Sequence, residues 1–549
     1  MDFYGEINLR QNAMQQMVVQ TETNFPETPV VGRVVFKDAK LYMCVAINNL
    51  IPVWLPLTNK IDTYVHSEAV AATTWTVVHN MNTTIPLIQV YDEEGEMLIP
   101  ESATPLDNNN MTITFNVAVA GTAIVLFGDL IPQSGVGLLE PETVYNIVTG
   151  FTIDNPSAFG TSANDNFGDV VGISPNYVVV GARNEGDAGG SGSGKAYIFD
   201  ATTGALLNTL DNPTAFGTSL GDRFSADVAI TDTYTAVGAP EEDDAGGTAS
   251  GKVYVFNTST GALLTTIDNP NPFGTSQSDK FGIFLDLTDT YLAVCAPNED
   301  DATDTSVGRI YIFNPATGAL LNTLTNPNPV DPAGGDSFAR SVSISNNYLL
   351  ASAEYEDEDI GNNDYDSGRA YIFNIATGAL LSTLENPNAF GTGEYDQIGG
   401  DHAVGITDTH TIVGAEREDD AGGSRSGKAY IFDTTTGALL HTLDNPNAFG
   451  TSASDQFGIT VAINNSLAAV GATGEGDAGG SYSGKVYIFN ISTGALIETL
   501  DDPNPFGTSD SDYFGNALAM SEDKIVVGAF LEDDAGGTGS GKVYVYNIT

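Results

Sequence analysis

A unit of about 57 residues is repeated through most of this chain, and no other feature of the sequence restricts the fold as strongly. Each copy opens with an aspartate that is followed two positions later by an apolar residue. The seven aspartates, spaced 57 to 60 residues apart, are Asp165, Asp222, Asp279, Asp336, Asp396, Asp455 and Asp512. Self-similarity at such a period is typical of a solenoid, a propeller or an array of small domains.

Four short apolar or alternating runs occur in every copy, and they have the composition of β-strands. In the sixth copy they cover residues 459–462, 466–470, 486–489 and 495–500, and we label them strands A to D. Val, Ile, Tyr and Phe recur at period two between clusters of Gly, Pro, Asn and Asp, without a helical period. Four strands in each of seven units predict an all-β fold, a seven-bladed β-propeller over residues 142–549.

The connections between these strands divide the predicted propeller into two faces. Because neighbouring strands run in opposite directions, the A–B and C–D turns lie on one face and the B–C and D–A loops on the other. The former are short, whereas the latter are long and acidic, as in residues 418–424. We therefore name the faces the short-turn face and the long-loop face, and we expect the acidic charge on the latter.

Closure of the ring is also predicted. Residues 543–549 form a strand C without a following strand D, and the missing strand is present before the first copy, at residues 149–156. This segment is expected to complete the seventh blade, because an unpaired sheet edge is unfavourable. It enters on the short-turn face, so the N-terminal part is expected to attach there.

The repeated motif resembles a known family. Phe167-Gly168 is followed by Gly181-Ala182, and both steps recur in register in most copies. They resemble FG-GAP repeats of the integrin-α type, a resemblance that covers about residues 144–549 and implies a propeller. The departures from the Phe-Gly step are Ser225, Ala339 and Ile398. The calcium loop Asp-x-Asp-x-Asp-Gly of that family is not present in that form, so calcium is not implied by the resemblance alone.

The charge balance excludes several classes of partner. The chain has 19 basic and 71 acidic residues, a net charge of −52. Such a surface repels nucleic acid and anionic membranes. No stretch approaches the length of an apolar membrane span, so membrane insertion is not expected. Residues 1–6 contain neither a basic segment nor an apolar run, so a secretory signal is not predicted and assembly in a cytoplasm is expected.

The first 141 residues differ in composition from the repeats, since both tryptophans and seven of the eight methionines precede residue 112. Residues 1–60 are interpreted as an extended attachment segment, residues 61–132 as a small β-sandwich and residues 133–141 as a linker. A segment as small as the first usually needs a partner or an oligomer to bury its apolar faces.

Residues 1–60 also resemble the N-terminal attachment modules of bacteriophage tail fibres and related virion proteins. The resemblance is carried by Asn8, Asn12, Pro29-Val30-Val31-Gly32-Arg33, Leu41-Tyr42 and Trp54. It implies a place in a virion, in the tail or another appendage, after assembly in the host cytoplasm. It further implies contact with other virion proteins through this segment and a homo-oligomer such as a trimer.

Five copies contain the pattern Gly-x-x-x-x-Gly-Lys, which also occurs in phosphate-binding loops. One of them runs from Gly246 to Lys252. Val253 follows the lysine, where a phosphate-binding loop needs Ser or Thr to hold magnesium, and a strand follows where a helix N-terminus should receive the phosphate. Nucleotide binding is therefore not predicted.

The acidic B–C loops are the predicted metal sites. Their carboxylates would supply part of the six to eight oxygen ligands that calcium takes. The alternative is a solvated loop in which Asp and Gly form turns. The calcium candidates are Asp243, Asp244, Asp419, Asp420, Asp533 and Asp534. No other cofactor is expected.

The predicted function is binding and not catalysis. Paired carboxylates are used by glycosidases, but here they recur in every blade by symmetry and carry little information. We expect a phage tail fibre or appendage whose distal propeller binds a glycan or protein receptor on the host surface. Contact is expected where the repeat pattern breaks on the long-loop face, through aromatic or arginine side chains. The receptor-binding candidates are Tyr355, Tyr365, Arg417, Arg425 and Tyr482.

Two other functions stay open at this point. One is a propeller that hydrolyses surface glycans, which a unique Asp/Glu/His/Tyr cluster in a central cavity would favour. The other is a structural decoration protein of the virion without a receptor.

Overall fold

The chain forms two compact units in a computed structural model, residues Met1–Thr143 and Val144–Thr549. In the first unit the structure describes only the strands. In the second it describes residues 145–549 apart from fourteen loop segments. These are 157–162, 187–190, 214–218, 244–246, 271–276, 301–305, 328–336, 357–365, 388–394, 420–422, 447–452, 477–479, 504–509 and 534–537.

The strands of the first unit form two sheets. One sheet has the order β1-β2-β3-β4-β5, with β1 (Gly5–Glu6), β2 (Val18–Thr21), β3 (Val34–Lys37), β4 (Lys40–Asn48) and β5 (Ile51–Leu57). The other contains β6 (Ile61–Val78), β7 (Leu87–Asp92), β8 (Met97–Leu98), β9 (Ser102–Pro105) and β10 (Asn110–Gly128), with β10 between β6 and β7. The predicted linker at 133–141 and the layer packing of the predicted sandwich lie outside the described residues.

The second unit is an all-β propeller of seven four-stranded sheets. β11 is Ile147–Asp154. The first blade is β12–β15 (Phe167–Ile173, Tyr177–Ala182, Lys195–Asp200, Leu206–Asp211). The second is β16–β19 (Val228–Ile230, Tyr234–Ala239, Lys252–Asn257, Leu263–Asp268). The third is β20–β23 (Leu285–Leu287, Leu292–Ala296, Arg309–Asn314, Ala319–Thr325).

The remaining blades have the same order. The fourth is β24–β27 (Phe338–Ile344, Tyr348–Ala353, Arg369–Asn374, Leu380–Glu385). The fifth is β28–β31 (Val404–Ile406, His410–Ala415, Lys428–Asp433, Leu439–Asp444). The sixth is β32–β35 (Phe457–Ile463, Leu467–Ala472, Lys485–Asn490, Leu496–Asp501). The seventh contains β36–β38 (Ala517–Met520, Lys524–Ala529, Lys542–Ile548). Among the described residues, no helix is long and apolar enough to cross a membrane.

The predicted closure of the ring is confirmed. β11 pairs antiparallel with β38, and the seventh sheet has the order β11-β38-β37-β36. Ile147 lies opposite Ile548, so β11 begins at the short-turn end of strand C. The N-terminal strand therefore supplies strand D of the last blade, as the sequence predicts.

The core lies between blades, and seven clusters of buried side chains join each sheet to the next. The Phe-Gly step has a fixed part in this packing. Phe281 is fully buried in the cluster between the second and third blades and packs against Tyr311 and Phe313, with ring centroids 5.9 and 6.0 Å apart. Such aromatic contacts add to the free energy of burial itself. The repeat therefore encodes the interface between neighbouring blades.

Two positions of the repeat require glycine. At one of them two blades approach each other closely, and at the other the backbone has a positive φ. A Cβ atom at Gly541 would lie 1.9 Å from the carbonyl oxygen of Phe167, so the glycine of the Gly-Lys step allows two blades to touch. The glycine of the Phe-Gly step has a positive φ, 86° at Gly168. Ser225 and Ala339 replace it and keep φ at 71° and 74°, which is unfavourable for residues with a Cβ.

Candidate functional site

The seven A strands surround a central channel that holds a cavity of about 290 Å³. Its wall is mainly aliphatic, with residues such as Ile173, Ile230 and Val461. Because the blades repeat, most positions of this wall carry similar side chains. The residues that differ between blades therefore determine what the channel can bind.

Two aspartates in this wall bond neighbouring A strands to each other. Oδ2 of Asp227 accepts the N–H of Leu285 in the third blade at 2.7 Å. Oδ2 of Asp286 in turn accepts the N–H of Ile344 in the fourth blade at 2.7 Å. Burial raises the pKa of each aspartate to about 6. Their oxygens are occupied by backbone donors, so we assign them to the stability of the wall.

At the long-loop face the channel continues into a second cavity of about 280 Å³ with charged walls. Arg183 Nε lies 2.7 Å from Asp169 Oδ2, and Lys280 Nζ lies 3.4 Å from Glu241 Oε1. Asp169 is 7 % exposed, and burial raises its pKa while Arg183 opposes that shift. Arg223 also lines this cavity. Charged groups of both signs thus alternate around the opening.

His402 lies at the centre of this arrangement. It lines both cavities. Its ring packs edge-on against Phe284 of the third blade, with centroids 5.3 Å apart. The backbone of His402 has a φ of 56°, an uncommon conformation for a residue other than glycine. Such conformations are concentrated at functional sites.

Arg340 organises the neighbouring part of the rim. Its Nε lies 3.0 Å from Glu354 Oε2 and 2.7 Å from Asp401 Oδ1. Its guanidinium carbon also lies 6.0 Å from the ring centroid of Tyr355. Burial raises the pKa of Glu354 to about 7, against the effect of Arg340. We name the following residues the channel-mouth cluster: Asp169, Arg183, Arg223, Glu241, Lys280, Arg340, Glu354, Asp401 and His402.

The basic residues of the propeller have an uneven distribution. Seven of them begin strand C: Lys195, Lys252, Arg309, Arg369, Lys428, Lys485 and Lys542. Six others lie on the long-loop side of the first five blades: Arg183, Arg223, Lys280, Arg340, Arg417 and Arg425. Lys524 is at the A–B turn of the seventh blade. Four cations and four carboxylates therefore share the channel mouth of a chain whose net charge is −52.

The receptor-binding candidates fall into two groups. Tyr355 lies at Arg340, next to the channel-mouth cluster. Arg417 Nε lies 3.5 Å from Glu416 Oε1, and burial raises the pKa of Glu416. Tyr365 lies outside the described residues.

Arg425 and Tyr482 form the second group and occupy the same position of the repeat, three residues before strand C. Both have a left-handed backbone, with φ of 53° and 54°. The first and seventh blades have Gly192 and Gly539 there, which adopt this conformation without strain. Tyr482 is 43 % exposed and stacks on Tyr513, with ring centroids 5.7 Å apart. Ala249, Ser306 and Asp366 have the same left-handed backbone at this position, so a role of Arg425 and Tyr482 in receptor binding stays a prediction.

The glutamate three residues after strand B is buried in every blade and not solvated. In all seven blades a tyrosine of strand C donates a hydrogen bond to it, as Tyr254 does to Glu242 at 2.6 Å. The seven glutamates, all with 0 % exposure, are Glu185, Glu242, Glu299, Glu356, Glu418, Glu475 and Glu532. A buried carboxylate needs such a donor. This part of the acidic loop is structural, which the sequence pattern does not reveal.

The calcium candidates that the structure describes bind their own loops. Asp243 accepts the N–H of Ala249 at 3.0 Å, Asp419 that of Arg425 at 2.9 Å and Asp533 that of Gly539 at 2.8 Å. This arrangement is the turn that the alternative interpretation expects. Asp244, Asp420 and Asp534 lie outside the described residues, and calcium binding in these loops stays a prediction.

Most of the channel-mouth cluster is missing from the residues that the sequence pointed to. The sequence did contain an indication of part of this cluster. The residue after the Phe-Gly step and the residue after the Gly-Ala step both vary strongly between copies. After the Phe-Gly step the residues are Asp169, Ala226, Ile283, Arg340, Gly400, Ile459 and Asn516. After the Gly-Ala step they are Arg183, Pro240, Pro297, Glu354, Glu416, Thr473 and Phe530. Residues from both positions, such as Asp169, Ile459 and Arg183, line the cavity at the long-loop end of the channel.

The fold and this site define a β-propeller with an asymmetric channel mouth. Five segments match the family model described as FG-GAP repeat, residues 157–199, 214–256, 328–373, 448–489 and 507–546. The first, second, fourth, sixth and seventh blades thus contain FG-GAP repeats. No curated protein matches the chain. Among solved structures, BamB from Moraxella catarrhalis is similar with 16 % identity and a TM-score of 0.33, covering 69 % of this chain and 85 % of that chain.

Proposed function

We propose that this protein is a structural component of a bacteriophage virion, a tail fibre or another appendage, whose propeller binds the host cell surface. The channel-mouth cluster, together with Tyr355, is its binding site. Other virion proteins contact the N-terminal segment, and the protein is a homo-oligomer, for which a trimer is the natural state of a fibre. The protein acts by binding and not by catalysis.

One observation carries the proposal: of the seven propeller cations that do not begin a strand C, six lie on the long-loop face of the first five blades, and only Lys524 lies on the short-turn face. Arg183, Arg223, Lys280 and Arg340 differ from their counterparts in the other blades and lie together at the channel mouth. In a chain of net charge −52, such a concentration needs a reason other than solubility. Binding of a ligand is the reason that we infer.

The chemistry of the cluster favours a glycan over an extended protein surface. It presents donors (Arg183, Arg223, Lys280), acceptors (Asp401, Glu241) and an aromatic ring within one concave opening. Ligand sites generally combine a cavity with a few convergent polar groups. Hydroxyl groups of a sugar match such alternating donors and acceptors, and a sugar carboxylate would pair with the arginines.

The position of the site on the propeller agrees with this function. β11 begins at the short-turn end of β38, so the polypeptide joins the propeller on that face. The channel-mouth cluster lies on the opposite, long-loop face, at or next to the ends of strands A and B in the first five blades. A binding site on the face opposite the connection stays accessible when the connection is anchored in a particle.

Binding of the full-length protein to bacterial surface polysaccharides on an array tests the proposal. Arg340→Ala removes the group that holds Glu354 and Asp401, and we expect binding to weaken at least about tenfold, about 1.4 kcal/mol. Glu498→Ala, an exposed change on outer strand D, is the matched control. Antibody labelling of purified virions checks the location. Equal binding by both variants, or the absence of label on the particle, would contradict the proposal.

A second candidate function, hydrolysis of surface glycans, is favoured by one observation. Glu354, with a pKa raised to about 7, lies beside Asp401 and Tyr355 in a cluster that no other blade repeats. A carboxylic acid with such a pKa is suited to general acid catalysis at neutral pH. Incubation of the bound polysaccharide with wild-type protein and with Glu354→Gln decides between the two functions. Release of oligosaccharides by the wild type alone would establish the enzyme.

A further inference from the structure

One contact between neighbouring blades differs chemically from the other six. After each strand D the chain has an asparagine in six copies: Asn155, Asn212, Asn269, Asn326, Asn386 and Asn445. The seventh copy has Asp502 at this position. This single exchange converts an amide that donates hydrogen bonds into a carboxylate that only accepts them.

At the six positions with asparagine, the side-chain amide donates a hydrogen bond to a nearby carboxylate. Asn212 Nδ2 donates to Oδ2 of Asp222, the aspartate that opens the copy, at 2.9 Å. The same bond occurs at Asn155, Asn269, Asn386 and Asn445 with lengths of 2.9 to 3.1 Å. In the fourth copy Asn326 donates to the buried Glu356 at 3.3 Å. The amide therefore donates a hydrogen bond to a carboxylate at each of these six positions.

At the contact between the sixth and seventh blades, three carboxylates meet instead. One oxygen each from Asp502, Asp512 and Glu532 lies within 4.8 Å of the others. The residues are 7 %, 4 % and 0 % exposed. Tyr544 donates to Glu532 Oε2, whereas Glu532 Oε1 and Asp512 Oδ2 have no hydrogen-bond donor among the described residues. Two buried acceptor atoms thus face a cluster that contains a third carboxylate.

Such a cluster is stable only if its negative charge is compensated. Three ionised carboxylates in a buried site would cost several kcal/mol each without a counter-charge. Lys542, a cation whose charge acts on Glu532, is paired with Asp154 across the closing strands. Protons or a bound cation must therefore supply the compensation.

We propose that Asp502, Asp512 and Glu532 bind a calcium ion between the sixth and seventh blades. All ligand atoms are oxygens, which hard divalent cations prefer. Calcium–oxygen distances of 2.3 to 2.6 Å allow ligand atoms up to about 4.8 Å apart around one ion. Glu532 belongs to the acidic loop of the seventh blade, but the proposed ligand is its buried carboxylate and not the calcium candidates Asp533 and Asp534. The site uses the carboxylate oxygens of Asp512 and Glu532 that lack donors in the described part of the chain. Its ion would join the last complete blade to the blade that closes the ring.

A backbone ligand is available by analogy with the other copies. The amides of Asn155 and Asn445 also reach the carbonyl oxygens of Ser540 and Ser426, at 3.4 Å in both cases. The corresponding residue at Asp502 is Ser483. A carbonyl that receives an amide proton elsewhere is available to a cation when the amide is replaced by a carboxylate.

The experiment uses the full-length protein after removal of divalent ions with EDTA. Thermal unfolding is recorded at pH 7.5 with and without excess CaCl₂, and calorimetric titration gives the number of ions bound. We expect calcium to raise the Tm of the wild type by several degrees. Asp502→Asn restores the amide of the other copies, so its Tm should not respond, and it should bind one ion fewer per chain.

Asn445→Asp provides the converse variant, because it creates three carboxylates with Asp455 and Glu475. We expect this variant to gain a calcium-dependent rise of Tm relative to its own value in EDTA. If calcium does not change the Tm of the wild type, the proposal is wrong, and protons shared between the carboxylates compensate the charge. An equal response of wild type and Asp502→Asn would also overturn it, since the acidic loops would then bind the ion.

Discussion

Val543 lies directly opposite Ile153 in the antiparallel ladder that closes the propeller, although 390 positions separate them in the chain. Both side chains are buried, at 0 % and 3 % exposure, in the cluster that joins the seventh blade to the first. The closure of the ring therefore depends on one strand that precedes the first blade in the sequence and pairs with the last strand of the seventh. Closure is the point at which the propeller is most easily tested.

Ile153→Ala should destabilise the propeller by about 2–5 kcal/mol, because it leaves a cavity in a buried interface. Thr152→Ala changes the exposed neighbour on the same strand and should alter the free energy of unfolding by less than about 0.5 kcal/mol. Urea unfolding followed by tyrosine fluorescence measures both. Equal unfolding midpoints for the two variants would show that β11 does not close the ring in solution.

Ala339→Gly should stabilise the protein by about 1 kcal/mol. Ala339 has a φ of 74° at a position where most copies have glycine, and a Cβ is unfavourable in that region. Ser225→Gly is the informative comparison, since Ser225 has a φ of 71° but its hydroxyl donates to the carbonyl of Lys195 at 2.6 Å. In Ser225→Gly, the gain in the free energy of unfolding from relief of backbone strain and the loss from the missing hydrogen bond should nearly cancel. Urea midpoints test the difference, and a destabilised Ala339→Gly would show that the backbone there is not strained.

Arg425→Gly and Tyr482→Gly should each raise the free energy of unfolding by up to about 1 kcal/mol, because glycine suits the left-handed backbone at both positions. If these side chains contact the receptor, the same variants should bind host polysaccharide more weakly. Stability and binding would then change in opposite directions. Ala249→Gly, at the same repeat position with a φ of 50°, is the control that should gain stability without losing affinity. Unchanged binding by the first two variants would remove them from the receptor site.

In buffer without divalent cations, the stability of the wild type should fall as the pH rises from about 4 to about 8. Burial raises the pKa of Asp512 to about 8 and that of Glu532 to about 8. Their ordinary values in an unfolded chain are near 4. The folded state therefore holds more protons in this window, and its advantage is complete below pH 4 and lost above pH 8.

Asp502→Asn should flatten this pH dependence, because the amide would donate to Asp512 as it does to the corresponding aspartates in other copies. Tm values between pH 4 and pH 9 for both proteins provide the measurement. Parallel curves for wild type and variant would show that other buried acids, such as Glu354 and Asp227, cause the dependence.

The number of blades, their strands and their closure were all predictable from the sequence. Strand patterns at period two, Gly and Pro at the turns and a 57-residue repeat are local signals, and each copy confirms the others. Even the pairing of β11 with β38 was predicted, because the last copy lacks a strand D and an additional strand of this kind precedes the first copy. Repetition made these predictions reliable, since an error in one copy would not fit the rest.

The tertiary structure alone decided which residues meet. Arg340 and Asp401 are 61 positions apart in the chain, yet the ring places them 2.7 Å apart on one rim. Glu242 belongs to an acidic run that looks solvated, but it turns inward to Tyr254. A repeat fixes where a position lies within its blade. The contacts between blades depend on how seven similar sheets pack around one axis, and that packing brings the few exceptional residues together at the channel mouth.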